Sequence, residues 1–122
     1  MRFMTIVKSV EGSGPPPQEL LDAIGHMAAE AMQAGTLIDT GGLAPTATGA
    51  QVRLSGGEVA VTDGPFTEAK EVVGGYAIFE LGSQKEAIEA AVEFMELHKK
   101  YWPGWEGVTE VRQMIGPEDM PH

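Results

Sequence analysis

Short β-patterned runs and longer helical stripes alternate along this chain. Residues 2–8 form a short apolar, β-branched run and predict a first strand. The breaker cluster 12–17, Gly-Ser-Gly-Pro-Pro-Pro, predicts a loop. Over 18–34 the period becomes helical, with Leu20, Leu21, Ile24, Met27, Ala28, Ala31 and Met32 on one stripe and Gly35 placed to cap it. Residues 36–40 predict a second strand, followed by Gly41-Gly42. Segments 51–54 and 58–62 flank Ser55-Gly56-Gly57, a hairpin signature, because glycine accepts the positive φ of tight turns. Asp63-Gly64-Pro65-Phe66 is a second turn. Residues 72–81 give the strongest strand signal, and Gly74-Gly75 inside it predicts a bulge or a close backbone approach. Ser83 and Glu86 form a capping box for a second helix, with Ile88, Ala91, Val92 and Met95 as its expected buried face. Lys99 and Lys100 suit its C-terminal end. The loop 101–105 leads to a last strand over 106–115, and a tail is expected from about residue 116.

The order is β-α-β, then hairpin and strand, then α-β. It predicts one α+β domain over 1–122: a ferredoxin-like split βαβ antiparallel sheet with an inserted β-hairpin and both helices on one face. Such a sheet leaves its other face bare, and a second copy of the chain is the simplest cover. Strand 72–81 is the expected contact, with Tyr76 and Ile78 on one face by alternation.

Composition narrows the function classes. The 122 residues are 43% apolar and carry a net charge of −10 with only eight Lys and Arg. Phosphate backbones need clustered cations, so nucleic acid is not an expected partner. The apolar run at the start is short and no small-residue cleavage site follows it. No apolar stretch reaches the length of a membrane helix, so a cytoplasmic location is expected. Cysteine is absent, which removes disulfides and thiolate chemistry.

The candidate chemistry centres on Asp63-Gly64-Pro65-Phe66. Asp63 can accept backbone N–H groups two residues on, Pro65 fixes φ, and Phe66 can pin the loop. This structural account needs no function; the functional account makes Asp63 a pocket carboxylate that orients a group or accepts a proton. The run Thr62-Asp63-Gly64-Pro65-Phe66-Thr67-Glu68-Ala69-Lys70-Glu71, followed by Gly74-Gly75-Tyr76, resembles the hallmark of the YCII-related, or DGPF-domain, family. Arg2-Phe3-Met4, Ala34-Gly35, Gly41-Gly42-Leu43 and Glu110-Val111-Arg112 extend the resemblance over most of the chain. The resemblance implies a dimeric α/β barrel with a small-molecule pocket near the DGPF turn. It also implies a possible link to an extracytoplasmic-function sigma factor pathway. The wider superfamily includes small enzymes with a proposed His–Asp pair.

The imidazole of that pair would fall at Ile24, counted back from Gly35. His26 is two residues on, which turns a helix side chain by about 200°. It is expected on the solvated face and stands as the substitute candidate beside Asp63. His98 ends the second helix and His122 ends the chain. The three histidines have no metal-ligand spacing, and no GxGxxG or phosphate loop occurs, so neither metal nor cofactor is expected. The methionines at helical spacing read as core filler. Trp102 and Trp105 could pack on their own domain, line a pocket or anchor a partner. Arg53 and Arg112 lie in predicted strands, where each could bind an anionic ligand or pair with a glutamate such as Glu80 or Glu110. Phe66 and these two arginines join Asp63 as ligand-binding candidates. Two functions follow: a lyase- or isomerase-type enzyme using Asp63 on a small molecule, or a non-catalytic binding or regulatory module. The isoleucine at position 24 favours the second.

Overall fold

Alternation in the first strand decides the two faces of the sheet. The computed structural model describes residues 1–117. It contains β1 (Arg2–Ser9), α1 (Gln18–Gln33), β2 (Leu37–Gly42), a 3-10 turn (Thr46–Thr48), β3 (Ala50–Ser55), β4 (Glu58–Asp63), β5 (Val72–Glu80), α2 (Gln84–Tyr101) and β6 (Val108–Met114). The tail expected from about 116 lies, beyond Pro117, outside the described residues, as does His122. Phe3 and Thr5 of β1 are buried, whereas Met4 and Ile6 between them are half-exposed on the other side.

The order β2-β5-β1-β6, antiparallel throughout, is the split βαβ arrangement expected from the sequence. Each helix connects two parallel strands across an intervening antiparallel one. β3 and β4 form a separate two-stranded sheet. The ferredoxin-like α+β fold with its inserted hairpin is therefore present. Gly75 pairs with Val7 and Val73 with Lys8, so Gly74 is the extra residue of a bulge, as the paired glycines predict.

The core lies between the sheet and the helices: Phe3, Leu20, Leu37, Ala87 and Ala91. Both helices differ in detail from the expected stripes. On α1, Leu20 is fully buried, but Leu21 and Met32 at the margins of the stripe are exposed. On α2 the expected Ala91 is buried, but the rest of the buried face is turned toward Ala87 and His98, and Ile88 and Val92 face outward. Two small alanines let the helix sit close to the sheet, and an aromatic stack fixes its far end. The His98 ring lies 4.6 Å from Phe94 and 4.5 Å from Trp105, and Trp105 stacks on Trp102 at 5.9 Å between ring centres. His98 Nδ1 is 3.0 Å from the Phe94 carbonyl, which can only accept, so Nδ1 carries the proton. The two tryptophans thus pack within their own domain. A Cβ on Gly107 would come within 2.3 Å of the Trp105 ring, so glycine is what admits that ring.

Ser83 caps α2 through the Glu86 N–H at 3.3 Å, and the Glu86 carboxylate accepts from the Gly82 N–H at 2.7 Å.

Candidate functional site

The turn after β4 is held by a residue from elsewhere in the chain. Thr46 N–H donates to Glu11 Oε2 at 2.7 Å, and the Thr46 hydroxyl donates to Glu11 Oε1. The same hydroxyl oxygen accepts from Phe66 N–H at 3.2 Å, and Gly64 N–H donates to the Gly49 carbonyl at 2.9 Å. Gly64, which precedes a cis peptide to Pro65, lies directly against Thr46: a Cβ there would stand 1.6 Å from the Thr46 carbonyl oxygen. Phe66 is half-buried, close to Gly49. The bonds from Thr46 hold Glu11 below the ordinary glutamate range. Thus the β1–α1 loop, the 3-10 turn and the Asp63–Phe66 segment are tied at one point.

Asp63 takes no part in that tie. It is exposed, and its carboxylate has no hydrogen bond or ion pair among the described residues. The expected side-chain turn is not made; Thr46 does that work instead. Arg53 lies on the polar side of the hairpin, opposite Ala60, and is exposed. His26 is 77% exposed on α1 and pairs with Glu30 at 3.0 Å, one turn along. It lines an open groove of about 540 Å³ between the helices, together with Asp22, Glu93 and Tyr101, and Asp63 is not part of that lining. His26 and Asp63 are therefore not brought to a common cavity. Among the described residues, no cluster of three acidic or imidazole side chains could hold a metal ion.

Arg112 belongs to a different place, the helix-free face of the sheet. Cross-strand register puts Asp39, Ile78, Met4 and Arg112 in one row of that face and Gly41, Tyr76, Ile6 and Glu110 in the next. The centre is apolar and half-exposed, and both margins are polar. At the β2 margin Tyr76 Oη donates to Asp39 Oδ2 at 3.1 Å, and Asp39 Oδ1 accepts from Thr40 N–H at 2.9 Å. The Asp39 carboxylate, through that hydrogen bond and its charge, raises Tyr76 above the usual phenol value. Gly41 gives the ring its place, since a Cβ there would lie 3.1 Å from it. At the β6 margin Lys8 pairs with Glu110 at 2.9 Å, and Arg112, 68% exposed, lies 3.4 Å from the same carboxylate. Lys8, by its hydrogen bond first and its charge second, holds Glu110 below the glutamate range.

Sequence reasoning singled out Tyr76 and Arg112 but not Asp39, Lys8, Glu11 or Thr46. For Asp39 there was a signal: it is the lone carboxylate in a strand of apolar, threonine and glycine residues. For Glu11 and Thr46 there was none, because they meet across 35 residues.

A family model described as "YCII-related domain" matches residues 1–95, and the chain belongs to that family. It is also 40% identical over 60 residues to "Uncharacterized protein R00369" of Rhizobium meliloti (strain 1021), a match covering 49% of this chain and 48% of that protein.

Proposed function

We propose that this YCII-related protein binds a small organic molecule on the helix-free face of its sheet, and that a second copy of the chain closes the site. The observation that carries this reading is the anchored Tyr76–Asp39 pair at one margin of an uncovered apolar face, with Arg112 and Lys8 at the other. Tyr76 donates to Asp39, so its oxygen remains free to accept from a ligand hydroxyl or amine. Arg112, largely exposed, can grip a carboxylate. Strands lie about 4.8 Å apart, so the margins are separated by roughly 14 Å. A short amphipathic organic acid with a donor at its far end matches that separation.

Binding without catalysis is the better-supported role. Asp63 is not part of the groove lined by His26, and no second ionisable group among the described residues is bonded to it, so the His–Asp pairing that the resemblance implies is not formed. An enzyme of the lyase or isomerase type would have to use Tyr76 and Asp39 instead. A connection to an extracytoplasmic-function sigma factor pathway rests on the family resemblance alone.

A thermal-shift screen of small organic acids tests the reading. A true ligand at a hundredfold excess over Kd adds about 2.7 kcal/mol to apparent stability. The shift should shrink in Arg112→Ala and in Tyr76→Phe. Equal shifts in both variants and the wild type, or no shift with any acid, would remove the proposal. Turnover of a bound acid would move the protein to the enzyme class.

A further inference from the structure

The β3–β4 hairpin is two-faced, and its apolar face is bare. Cross-strand pairing sets Val52 opposite Val61 and Leu54 opposite Val59, so all four side chains share one face. The other face carries Gln51, Arg53, Ser55, Glu58 and Thr62. The four aliphatic residues are 68–72% exposed, more than any other large apolar residue in the described chain. The hairpin strands pack on each other and hardly touch the four-stranded sheet or the helices. Its base, in contrast, is fixed by the Glu11–Thr46–Phe66 tie, so the arm is held at a set place on the body.

We propose that this hairpin is an arm that docks, apolar face down, on a second copy of the chain. The proposal rests on the dimer invoked above and extends it to a segment outside the sheet. Three observations choose the occupant. First, a two-stranded hairpin alone is at best marginal in water, and this one has no cover among the described residues of its own chain. Second, exposed apolar side chains also lie on the body at one end of the four-stranded sheet, at Val10, Leu43, Val73 and Val108, so each copy offers what the other copy's arm lacks. Third, the area suits a pair. Four aliphatic side chains left mostly in water amount to on the order of 300 Å² per arm. Two arms and the two surfaces they cover bury about 1,200 Å², the lower bound for a stable interface before any contribution from the sheet face. An isologous pair uses each patch twice, which a hetero-partner would not.

The arm also accounts for Asp63. Alternation places Asp63, opposite Ala50, at the root of the same apolar face. Docking the arm carries this unpartnered carboxylate to the interface, so the site between the two copies includes a group that is idle in one chain alone.

Hydrogen exchange of the full chain across a dilution series, with sedimentation velocity on the same samples, tests this. The expected result is a dimer whose amides in 50–63 are protected at high concentration and exchange at least about a hundredfold faster once it dissociates. Val52→Thr/Val61→Thr keeps β propensity while removing apolar surface, and it should weaken the dimer about tenfold or more with the helical signal unchanged. A wild-type dimer with hairpin exchange independent of concentration, and an equally tight double variant, would overturn the arm and leave the sheet-face dimer standing. A wild-type monomer at every concentration would overturn both.

Discussion

Gly64→Ala is the sharpest test of how the Asp63–Phe66 turn is built. The added Cβ would stand 1.6 Å from the Thr46 carbonyl oxygen, and real Cβ atoms essentially never come within 3.0 Å of a neighbour. The backbone on one side must therefore move by at least 1.4 Å, the difference between those distances. A shift of that size breaks the Gly64–Gly49 bond of 2.9 Å and the Phe66–Thr46 bond of 3.2 Å. Two hydrogen bonds at about 1 kcal/mol each, with about 1–3 kcal/mol of overpacking, give a local loss of roughly 3–5 kcal/mol. The core of Phe3, Leu20, Leu37, Ala87 and Ala91 lies elsewhere. The chain can escape most of this loss by letting the hairpin root open while the body stays folded. Amides over 50–66 should thus exchange roughly a hundredfold faster or more, since each 1.4 kcal/mol is a factor of ten. Global stability in denaturant should fall by less than about 1 kcal/mol. Unchanged exchange at the hairpin would refute the close approach. Loss of the full amount in global stability would refute the separation of turn and core.

Three other expectations concern the tie, the core and the sheet margin. Glu11 is held below its ordinary value of 4.5, so its contribution is present above that pH and is lost as pH falls through the lower folded value; the stability gap between wild type and Glu11→Gln should close as the solution is acidified below about pH 4.5, and a constant gap would show that the Thr46 bonds do not matter. Leu20→Ala empties a fully buried site and should cost about 2–5 kcal/mol in denaturant unfolding, whereas Leu21→Ala, one residue away and exposed, should cost less than about 1 kcal/mol; equal costs would contradict the observed face of α1. Asp39→Asn removes the charge that helps raise Tyr76 and leaves at most a weaker, neutral acceptor for its hydroxyl, so an ultraviolet titration should show this tyrosine ionising at lower pH than in wild type, and an unmoved curve would place the hydroxyl away from Asp39.

The parts of the fold that depend on local period were legible in the sequence. Element order, the Gly56-Gly57 turn and the Ser83 cap follow from neighbours within a few residues, and the split βαβ topology follows from element order. Gly56 and Gly57 have φ of 59° and 79°, the paired positive values that such a two-residue hairpin turn demands. What local reasoning missed is decided across the fold. On α2 the expected Ala91 is buried, but periodicity alone does not decide whether Ala87 or Ile88 and Val92 join it on the inner face. The choice depends on the Phe94–His98–Trp105 stack, whose last member comes from the following loop. His98 reads in sequence only as the end of the second helix; the fold buries it among aromatics. The Asp39–Tyr76 pair depends on the residue register between β2 and β5, which shifts between Leu37 and Asp39, and strand patterns alone do not reveal that register.

Asp63 poses the remaining question, and Asp63→Asn answers it. The packing of the turn explains its neighbours: Gly64 because Thr46 leaves no room, and Phe66 because its N–H and ring meet Thr46 and Gly49. Nothing among the described residues explains the carboxylate, which is exposed and bonded to none of them. The substitution should therefore leave the stability of the isolated chain within about 0.5 kcal/mol, as for any surface site without special contacts. If the hairpin docks on a second copy, the same change should appear in a property of the pair: a weaker dimer, or a changed affinity for an organic acid between the sheets. An amide keeps the shape, loses the charge and turns one acceptor oxygen into a donor, so the effect reports the loss of the carboxylate. The measurement needs two readouts on one protein, denaturant stability below the dimer dissociation constant and sedimentation above it. A loss above about 1 kcal/mol in the dilute sample would reveal an intrachain bond and return Asp63 to the role of turn former. No change in either readout, with ligand affinity also intact, would leave the carboxylate as surface charge alone and withdraw it from the site.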